Sequence, residues 1–216
     1  MNLFLKLKSN ILTTLLFLFG KNRLHQISKF SQIYNIWSNI FLDDLSGDYI
    51  EFGIFKGKSL LHSYKSYKNI FNDVKISFHG LDSFAGFPVE NHNFYKNDNF
   101  VSNSDKVKKS FNKYKQIHIH EGFFKEAFNN PELQNNNFSF AFIDCDIYES
   151  SNDAFLFLKT RMVNGGFIMI DDFTSLDKNG NSIAKSFFEH FKLGSDVVLY
   201  STYSNGQVYR CLKNLY

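Results

Sequence analysis

Four aspartates follow two apolar runs of this chain with the spacing of a metal-binding edge. Asp144 and Asp146 come after the run 138–143, and Asp171 and Asp172 come after the run 165–170. If both runs are parallel strands, their carboxyl ends meet at the edge where open α/β sheets bind ligands. Clustered carboxylates repel one another unless a cation lies between them. Mg²⁺ or a similar divalent cation is therefore predicted, with helix N-capping by Asp146 or Asp172 as the alternative.

A glycine turn follows the first predicted strand. Glu51 precedes Gly53, and Gly57 opens a predicted helix, so no Cβ keeps a ligand away from the backbone at these glycines. The N–H groups at the start of the helix would face the same ligand. The spacing matches neither a phosphate-binding P-loop nor the dinucleotide GxGxxG motif. The turn predicts close approach of a ligand, and a plain strand–helix turn is the alternative.

Two further strand ends carry residues suited to a nucleoside. Asp82 ends the second predicted strand, where a carboxylate can accept hydrogen bonds from two ribose hydroxyls. Gly122 follows the third strand and would let the chain turn beside a base that Phe123 or Phe124 covers. The alternatives are a loop or N-cap carboxylate for Asp82 and core packing for the two aromatic rings.

Composition limits the classes of protein that fit. The chain has 216 residues, 44% hydrophobic and 18% aromatic, which indicates one folded domain and excludes a largely disordered chain. With 24 basic and 21 acidic residues, the charge is too balanced to indicate a nucleic-acid partner. The lysines within 106–115 are interpreted as a solvated helix face rather than a phosphate site. Cys145 and Cys211 form neither a zinc motif nor a disulfide framework, so a cytoplasmic location is predicted.

The elements that must position these residues alternate along the chain. Strands are predicted over 49–52, 76–81, 117–120, 138–143 and 167–170, and helices over 58–70, 104–114, 124–128, 150–162 and 182–191. A hairpin is predicted from 197–200 and 207–212. This alternation predicts an α/β fold with a parallel sheet and right-handed crossovers, extended by an antiparallel edge. The connection 84–103 is long enough to predict a lid.

Residues 1–45 are predicted to be a helical segment, either a lid or an oligomer contact, that precedes a domain over 46–216. Lys6 and Lys8 before the apolar stretch 11–19 resemble a signal peptide, but no small-residue cleavage site follows. The stretch is also shorter than the roughly 20 residues that span a bilayer. Packing on the domain or on a second subunit is the favoured interpretation, so a homo-oligomer is predicted. Peripheral membrane contact through residues 1–20 is the less favoured alternative.

Five segments resemble the macrocin-type O-methyltransferases (the TylF/MycF family) in their order and spacing. They are 49–59, 81–88, 121–124, 144–150 and 165–173, within roughly residues 48–190. The resemblance implies the Rossmann-like class I methyltransferase fold, with a mostly parallel seven-stranded sheet, helices on both faces and a C-terminal antiparallel hairpin. It also implies S-adenosylmethionine as cofactor, Mg²⁺ at the site, and a hydroxyl of a sugar, glycan or glycoside as the acceptor.

By this resemblance, each site residue has an implied role. The metal ligands would be Asp144, Asp171 and Asp172. Asp144 and Asp146 would be catalytic, Asp146 as a supporting residue or base, and His92 in the lid is a weaker candidate for the base. The cofactor would contact Glu51, Gly53, Gly57, Ser59, Asp82, Ser83, Gly122, Phe123 and Asp144. Catechol-type enzymes of this fold carry a lysine three residues after the first metal aspartate, where this chain has Ile147, so the proton acceptor stays open.

Two departures from the family pattern and three competing functions qualify the resemblance. Cys145 stands where the family often has a smaller residue, and the chain is short and rich in Phe in the lid, so the acceptor can differ from the macrolide sugars of the family. Asp144-Cys145-Asp146 also matches the DxD pattern of nucleotide-sugar glycosyltransferases, which explains neither the glycine turn nor Asp171 and Asp172. The second and third competing functions are a methyltransferase for a non-sugar hydroxyl and a non-catalytic module with the same fold.

Overall fold

Seven strands form one mixed sheet in this computed structural model. It describes residues 3–90, 92 and 94–212, with the side chains of the first helix described at residue 14 and from residue 23 onward. The strands are β1 (Asp48–Phe52), β2 (Phe78–Asp82), β3 (Ile117–Glu121), β4 (Phe138–Ile143), β5 (Met162–Ile170), β6 (Val197–Tyr203) and β7 (Gly206–Cys211). Their order is β3-β2-β1-β4-β5-β7-β6. The first five strands pair in parallel, and β7 is antiparallel to both β5 and β6. The predicted fold class is confirmed.

Helices connect the strands and cover both faces of the sheet. They are α1 (Leu3–Leu42), α2 (Lys58–Phe71), α3 (Asn97–Phe100), α4 (Ser104–Phe111), α5 (Phe124–Ala127), α6 (Pro131–Gln134), α7 (Tyr148–Leu158) and α8 (Ile183–His190). The short helices α3 and α6 were not predicted, because four residues give too little periodicity. The helix predicted over 150–162 ends at Leu158, since β5 begins at Met162 rather than at Phe167.

Side chains alternate along the central strands between two hydrophobic cores. Ala141, Ile143 and Ile168 face the core beneath α7 and α8. Phe140 and Phe142 face the opposite core, which α1 and α2 cover. The alternation follows from the period of two residues in a strand, and burial on both faces explains why β4 is apolar at every position except the buried Ser139.

Helix α1 is 40 residues long, about 60 Å at 1.5 Å per residue. A buried stripe of Ile33, Ile36, Trp37 and Ile40 attaches its C-terminal half to the sheet. The Trp37 indole donates a hydrogen bond of 2.8 Å to Ser63 Oγ on α2. The predicted helix over 1–45 thus agrees with α1, although Met1 and Asn2 lie outside the described residues. Within the described part of the chain, the helices include none that is both long and apolar enough to cross a membrane.

Candidate active site

A cleft of about 460 Å³ opens at the carboxyl ends of β1, β2 and β4. Its floor contains Gly53, Asp82 and Asp144, one at the end of each strand. Phe87 and Phe100, from the predicted lid over 84–103, close one side. Of the residues predicted to bind a cofactor, those along the cleft are Gly53, Asp82, Ser83, Gly122, Phe123 and Asp144. The strand ends that the sequence indicated therefore meet at one edge.

Gly53 lets the turn after β1 approach β4 closely. Its φ is +90°, and a Cβ on it would overlap the carbonyl oxygen of Asp144. Gly57, at φ +73°, has a different role, because a Cβ there would overlap the ring of Phe111 on α4. Gly53 thus shapes the cleft, whereas Gly57 permits packing behind it.

Asp82 and Ser83 hold the walls of the cleft together. Asp82 accepts hydrogen bonds of 2.7 Å from the backbone N–H of Phe55 and of Phe84, one on each carboxylate oxygen. Ser83 Oγ donates to the carbonyl of Gly86 at 2.6 Å. Each Asp82 oxygen retains a second lone pair for a ligand hydroxyl.

Glu51 and Ser59 lie behind the cleft. Glu51 is fully buried and accepts hydrogen bonds from the hydroxyls of Tyr49 and Ser59. Burial raises the pKa of Glu51 to about 7, although both hydrogen bonds act to lower it. Among the described residues that line the cleft, neither Glu51 nor Ser59 nor Gly57 is found. Direct contact of these three residues with a cofactor stays a prediction, and their positions behind the cleft do not favour it. The three residues instead support the β1–α2 turn.

Asp144, Asp171 and Asp172 form an acidic cluster at the ends of β4 and β5. Each contributes an oxygen that lies within 4.8 Å of the others. Asp171 is nearly fully buried, and the Tyr203 hydroxyl donates to its Oδ1 at 3.2 Å. Three convergent carboxylates are the donor set that hard divalent cations prefer, so the residues fit the predicted Mg²⁺.

Two side chains of α1 reach into this cluster. The Lys29 ammonium bonds to Asp144 Oδ2 at 2.9 Å and also contacts Asp171 Oδ2. One turn upstream, His25 Nε2 lies 3.2 Å from the same oxygen of Asp171. Burial would raise the pKa of Asp171, but these two partners hold it at about 2. Burial would lower the pKa of Lys29, but both carboxylates raise it, so Lys29 stays a cation.

Asp146 lines the cleft beside the acidic cluster. Its φ of +64° is left-handed, as is the φ of +44° at Asp172. Such a conformation is uncommon outside glycine and is costly except where the surrounding structure enforces it. Burial raises the pKa of Asp146 well above its usual value, and the nearby charges of Asp144, Asp172 and Asp171 raise it further. Asp146 is thus a carboxyl group that binds a proton readily.

His92 connects the lid to the loop after β5. Its Nδ1 accepts hydrogen bonds from the backbone N–H of Phe94 and Tyr95, and its Nε2 lies 3.2 Å from Ser175 Oγ. With Nδ1 an acceptor, the proton of a neutral ring is on Nε2 and directed at Ser175. Because both ring nitrogens are engaged, this geometry favours closure of the lid over the base role predicted for His92.

The phenol of Tyr95 is also part of this closure. Tyr95 is 6% exposed and packs against His92, with ring centroids 4.5 Å apart and the ring planes tilted by 49°. Burial raises the pKa of Tyr95, and the charges of Asp172 and Asp146 raise it further, so its hydroxyl lies beside the acidic cluster.

Sequence reasoning missed Lys29, His25, Tyr95 and Tyr203. A signal for Lys29 did exist, because Lys29, Ile33 and Ile36 share one face of α1 at the spacing of an amphipathic helix. A charged residue that continues a buried stripe needs a buried partner of opposite charge. The partner itself, 115 residues away, could not be read from the sequence.

Comparison with known proteins agrees with this architecture. A curated relative from Streptomyces olivaceus, 8-demethyl-8-(2,3-dimethoxy-alpha-L-rhamnosyl)-tetracenomycin-C 4'-O-methyltransferase, is 26% identical over 156 residues. The alignment covers 62% of this chain and 56% of that relative, so the chain spans little more than half the length of the protein it matches.

Solved methyltransferases share the fold. The O-methyltransferase NovP and the calicheamicin methyltransferase CalS11 each superpose with a TM-score of 0.69 at 17% identity, over 87% of this chain and 81% of theirs. An O-methyltransferase from Bacillus cereus in complex with SAH gives a TM-score of 0.57 at 13% identity, over 85% of this chain and 81% of that one. The family model of the macrocin-O-methyltransferases (TylF) matches residues 15–199. This chain therefore belongs to the macrocin-O-methyltransferase family.

Proposed function

We propose that this protein is an S-adenosylmethionine-dependent O-methyltransferase that acts on a hydroxyl of a sugar or glycoside. The observation that carries the proposal is that Asp144 both lines the cleft and belongs to the acidic cluster, in a chain of this family. A cleft that joins a nucleoside-sized space to convergent carboxylates suits transfer of a methyl group to an adjacent hydroxyl.

The cleft supports a cofactor at the ends of β1 and β2. A nucleoside there would find the Asp82 carboxylate for its ribose hydroxyls and Phe123, at the cleft wall, for its base. The bare backbone at Gly53 leaves room for the amino-acid part. When bound, the sulfonium cofactor supplies the methyl group. The carboxylates that line the cleft would also attract the positive charge of this sulfonium.

Asp144, Asp171 and Asp172 would hold Mg²⁺ or a similar cation. A bound divalent cation would polarise the acceptor hydroxyl and lower its pKa. Metal dependence is part of the proposal, and the donor set of three carboxylates supports it.

Asp146 is our candidate for the base that removes the acceptor proton. It lines the cleft beside the acidic cluster, and burial raises its pKa well above the usual value of a carboxyl group, which makes it a stronger proton acceptor. The Lys29 amine bonds to Asp144, but it stays protonated and so acts as a cation. With the lid closed by His92 and Ser175, the residues around Asp146 would exclude water and orient the acceptor.

The sugar part of the proposal comes from relatives. The relative from Streptomyces olivaceus carries a rhamnosyl group in the name of its substrate, and a structure of CalS11 is described as a TDP-rhamnose 3'-O-methyltransferase. A hydroxyl on a non-sugar acceptor is the nearest alternative. The glycosyltransferase alternative loses its support, because the family of the chain is one of methyltransferases.

The deciding experiment is calorimetric titration with S-adenosylhomocysteine, with and without Mg²⁺, followed by methyl transfer to nucleotide sugars and glycosides. Micromolar binding and methylation of a sugar hydroxyl are expected. Binding of a UDP- or GDP-sugar without any binding of S-adenosylhomocysteine would overturn the proposal. Chelation with EDTA tests the metal separately, and unchanged turnover after chelation would remove Mg²⁺ from it.

The cytoplasmic location, the homo-oligomer, the peripheral membrane contact through residues 1–20 and the division into segments 1–45 and 46–216 stay predictions. Size-exclusion chromatography with light scattering tests the oligomer directly.

A further inference from the structure

Lys29 lies where a divalent cation is expected. Its ammonium bonds to Asp144 and Asp171, two of the three carboxylates of the acidic cluster. The residue is only 6% exposed, and its Nζ lies 5.6 Å from the centroid of the Phe142 ring. The protein thus contributes a cation of its own to the acidic cluster, delivered by α1.

We propose that Lys29 is a built-in counter-ion that competes with the divalent cation for Asp144 and Asp171, so that cation binding detaches the turn of α1 around His25 and Lys29. The inference rests on the proposed function, because that function supplies the divalent cation. An ammonium and a divalent cation on the same carboxylates repel each other strongly at such short distances. Only Lys29 can leave, since the aspartates are fixed at strand ends.

The structure defines how far the displacement extends along α1. Upstream of Lys29, His25 Nε2 shares Asp171 Oδ2, and its buried Nδ1 has no hydrogen-bond partner among the described atoms. Downstream, Ile33, Ile36 and Trp37 are fully buried. Residues 23–31 therefore loosen when the cation binds, whereas 33–40 stay packed. Cation binding and docking of this part of α1 exclude each other, which couples the N-terminal helix to the loading of the site.

The first test is titration with Mn²⁺, with free Mn²⁺ followed by electron paramagnetic resonance. Lys29→Met removes the charge at similar length, and about tenfold or more tighter binding of Mn²⁺ than in the wild type is expected. The matched control is Lys108→Met, because Lys108 pairs with Glu121 at 2.6 Å outside the acidic cluster and should leave Mn²⁺ affinity unchanged. Equal or weaker binding by Lys29→Met, or no binding by either protein, overturns the proposal.

The second test uses the wild type alone and so does not depend on folding of the variant. Hydrogen exchange is measured with and without saturating Mn²⁺. Faster exchange over 23–31, with unchanged exchange over 33–40, is expected. Unchanged or slower exchange over 23–31 contradicts the competition.

Binding of S-adenosylhomocysteine to the same samples distinguishes failure of the Lys29 competition from failure of the proposed function. If it binds and Mn²⁺ affinity does not respond to Lys29→Met, only the competition is wrong. If it does not bind at all, the proposed function is wrong.

Discussion

Asp146 has the location, backbone conformation and raised pKa that we expect of a general base in this site. It lines the cleft, it has a left-handed backbone, and its pKa is raised by burial and by three neighbouring aspartates. The other aspartates are engaged differently, since Asp144 and Asp171 bond to Lys29. Asp146, whose pKa is raised, is thus a different carboxyl group from Asp171, whose partners hold its pKa at about 2.

Replacement of Asp146 by Asn tests this role. We expect kcat to fall by about 10²- to 10⁴-fold, the usual contribution of a general base, while S-adenosylhomocysteine affinity changes little. The wild-type rate should fall as pH is lowered and Asp146 takes up a proton, and this limb should be absent from any residual activity of Asp146→Asn. Glu132→Gln is the matched control, because Glu132 is an exposed carboxylate outside the cleft. A variant with wild-type kcat would show that the base lies elsewhere.

For single residues, the sequence predicts those next to strand ends. It does not predict residues that a distant strand or helix brings into the site. Asp82, Asp144 and Asp171 were predictable, because each stands at the end of a predicted strand and the ends of parallel strands meet. Tyr203 and Lys29 were not, because no local pattern indicates which strand or helix face lies beside β5. His92 was identified as part of the lid, but its role depends on Ser175, which only the structure brings near.

At the scale of elements, the turn between β1 and α2 depends on Gly53. Its positive φ and the nearby Asp144 carbonyl leave no space for a side chain. The turn and the end of β4 also share the hydrogen bond from Asp144 N–H to Phe52 O at 2.9 Å. A change at Gly53 therefore acts on the acidic cluster through the backbone.

Gly53→Ala should both destabilise the protein and abolish cofactor binding. We expect a loss of at least about 2 kcal/mol, from the strained φ and the steric overlap together. Gly180→Ala separates the two causes, since Gly180 has a φ of +76° but nothing within 4 Å of the position that a Cβ would take. Its loss should be about 1 kcal/mol, without effect on binding. Thermal melts and titration with S-adenosylhomocysteine measure both; equal losses for the two variants would contradict the steric argument.

The elements with regular periodicity were predicted well, and those with mixed patterns were not. The run 138–143 matches β4 residue for residue, because burial on both faces makes it apolar at every position except Ser139. The start of β5 was missed, since Asn164, Gly165 and Gly166 interrupt its apolar pattern, although the strand pairs with β4 on both sides of them, at Met162 and from Phe167 onward. Tertiary pairing overrides local preference in such a segment.

At the scale of the whole molecule, a cluster of three histidines on β2 and β3 affects stability. Its members are His79, His118 and His120. His79 Nδ1 and His120 Nε2 are 3.0 Å apart, and both residues are buried between β2 and β3. Burial, with a smaller effect from the charges of His79 and His118, lowers the pKa of His120 to about 4. The folded protein therefore keeps His120 neutral at pH values where the unfolded chain protonates it.

Because of this difference, we predict that the free energy of unfolding decreases as the pH is lowered. His120 has a lower pKa folded than unfolded, so its contribution is complete above about pH 6.5 and is lost as pH falls toward 4, up to about 3 kcal/mol. His120→Gln should show a shallower loss than the wild type over this window in denaturant titrations. His118→Gln, at the half-exposed neighbour, should retain most of the slope. Parallel profiles for wild type and His120→Gln would rule out this source of acid sensitivity.

The fold class followed from the alternation of strands and helices, whereas the order of the strands did not. Right-handed crossovers limit the arrangements but do not select one. The position of β7 between β5 and β6 depends on side-chain packing such as that of Tyr209, which is buried against Phe173 and Phe187.

That position has a consequence for the nascent chain. Among the described residues the strand synthesised last, β7, is an interior strand of the finished sheet, so the hydrogen-bonding edge of β5 stays open until Cys211 has been synthesised. An apolar strand with an open edge pairs readily with other chains. During translation this protein therefore passes through a stage in which most of the sheet exists but its edge is unprotected, and chaperones that bind extended apolar segments would act at that stage.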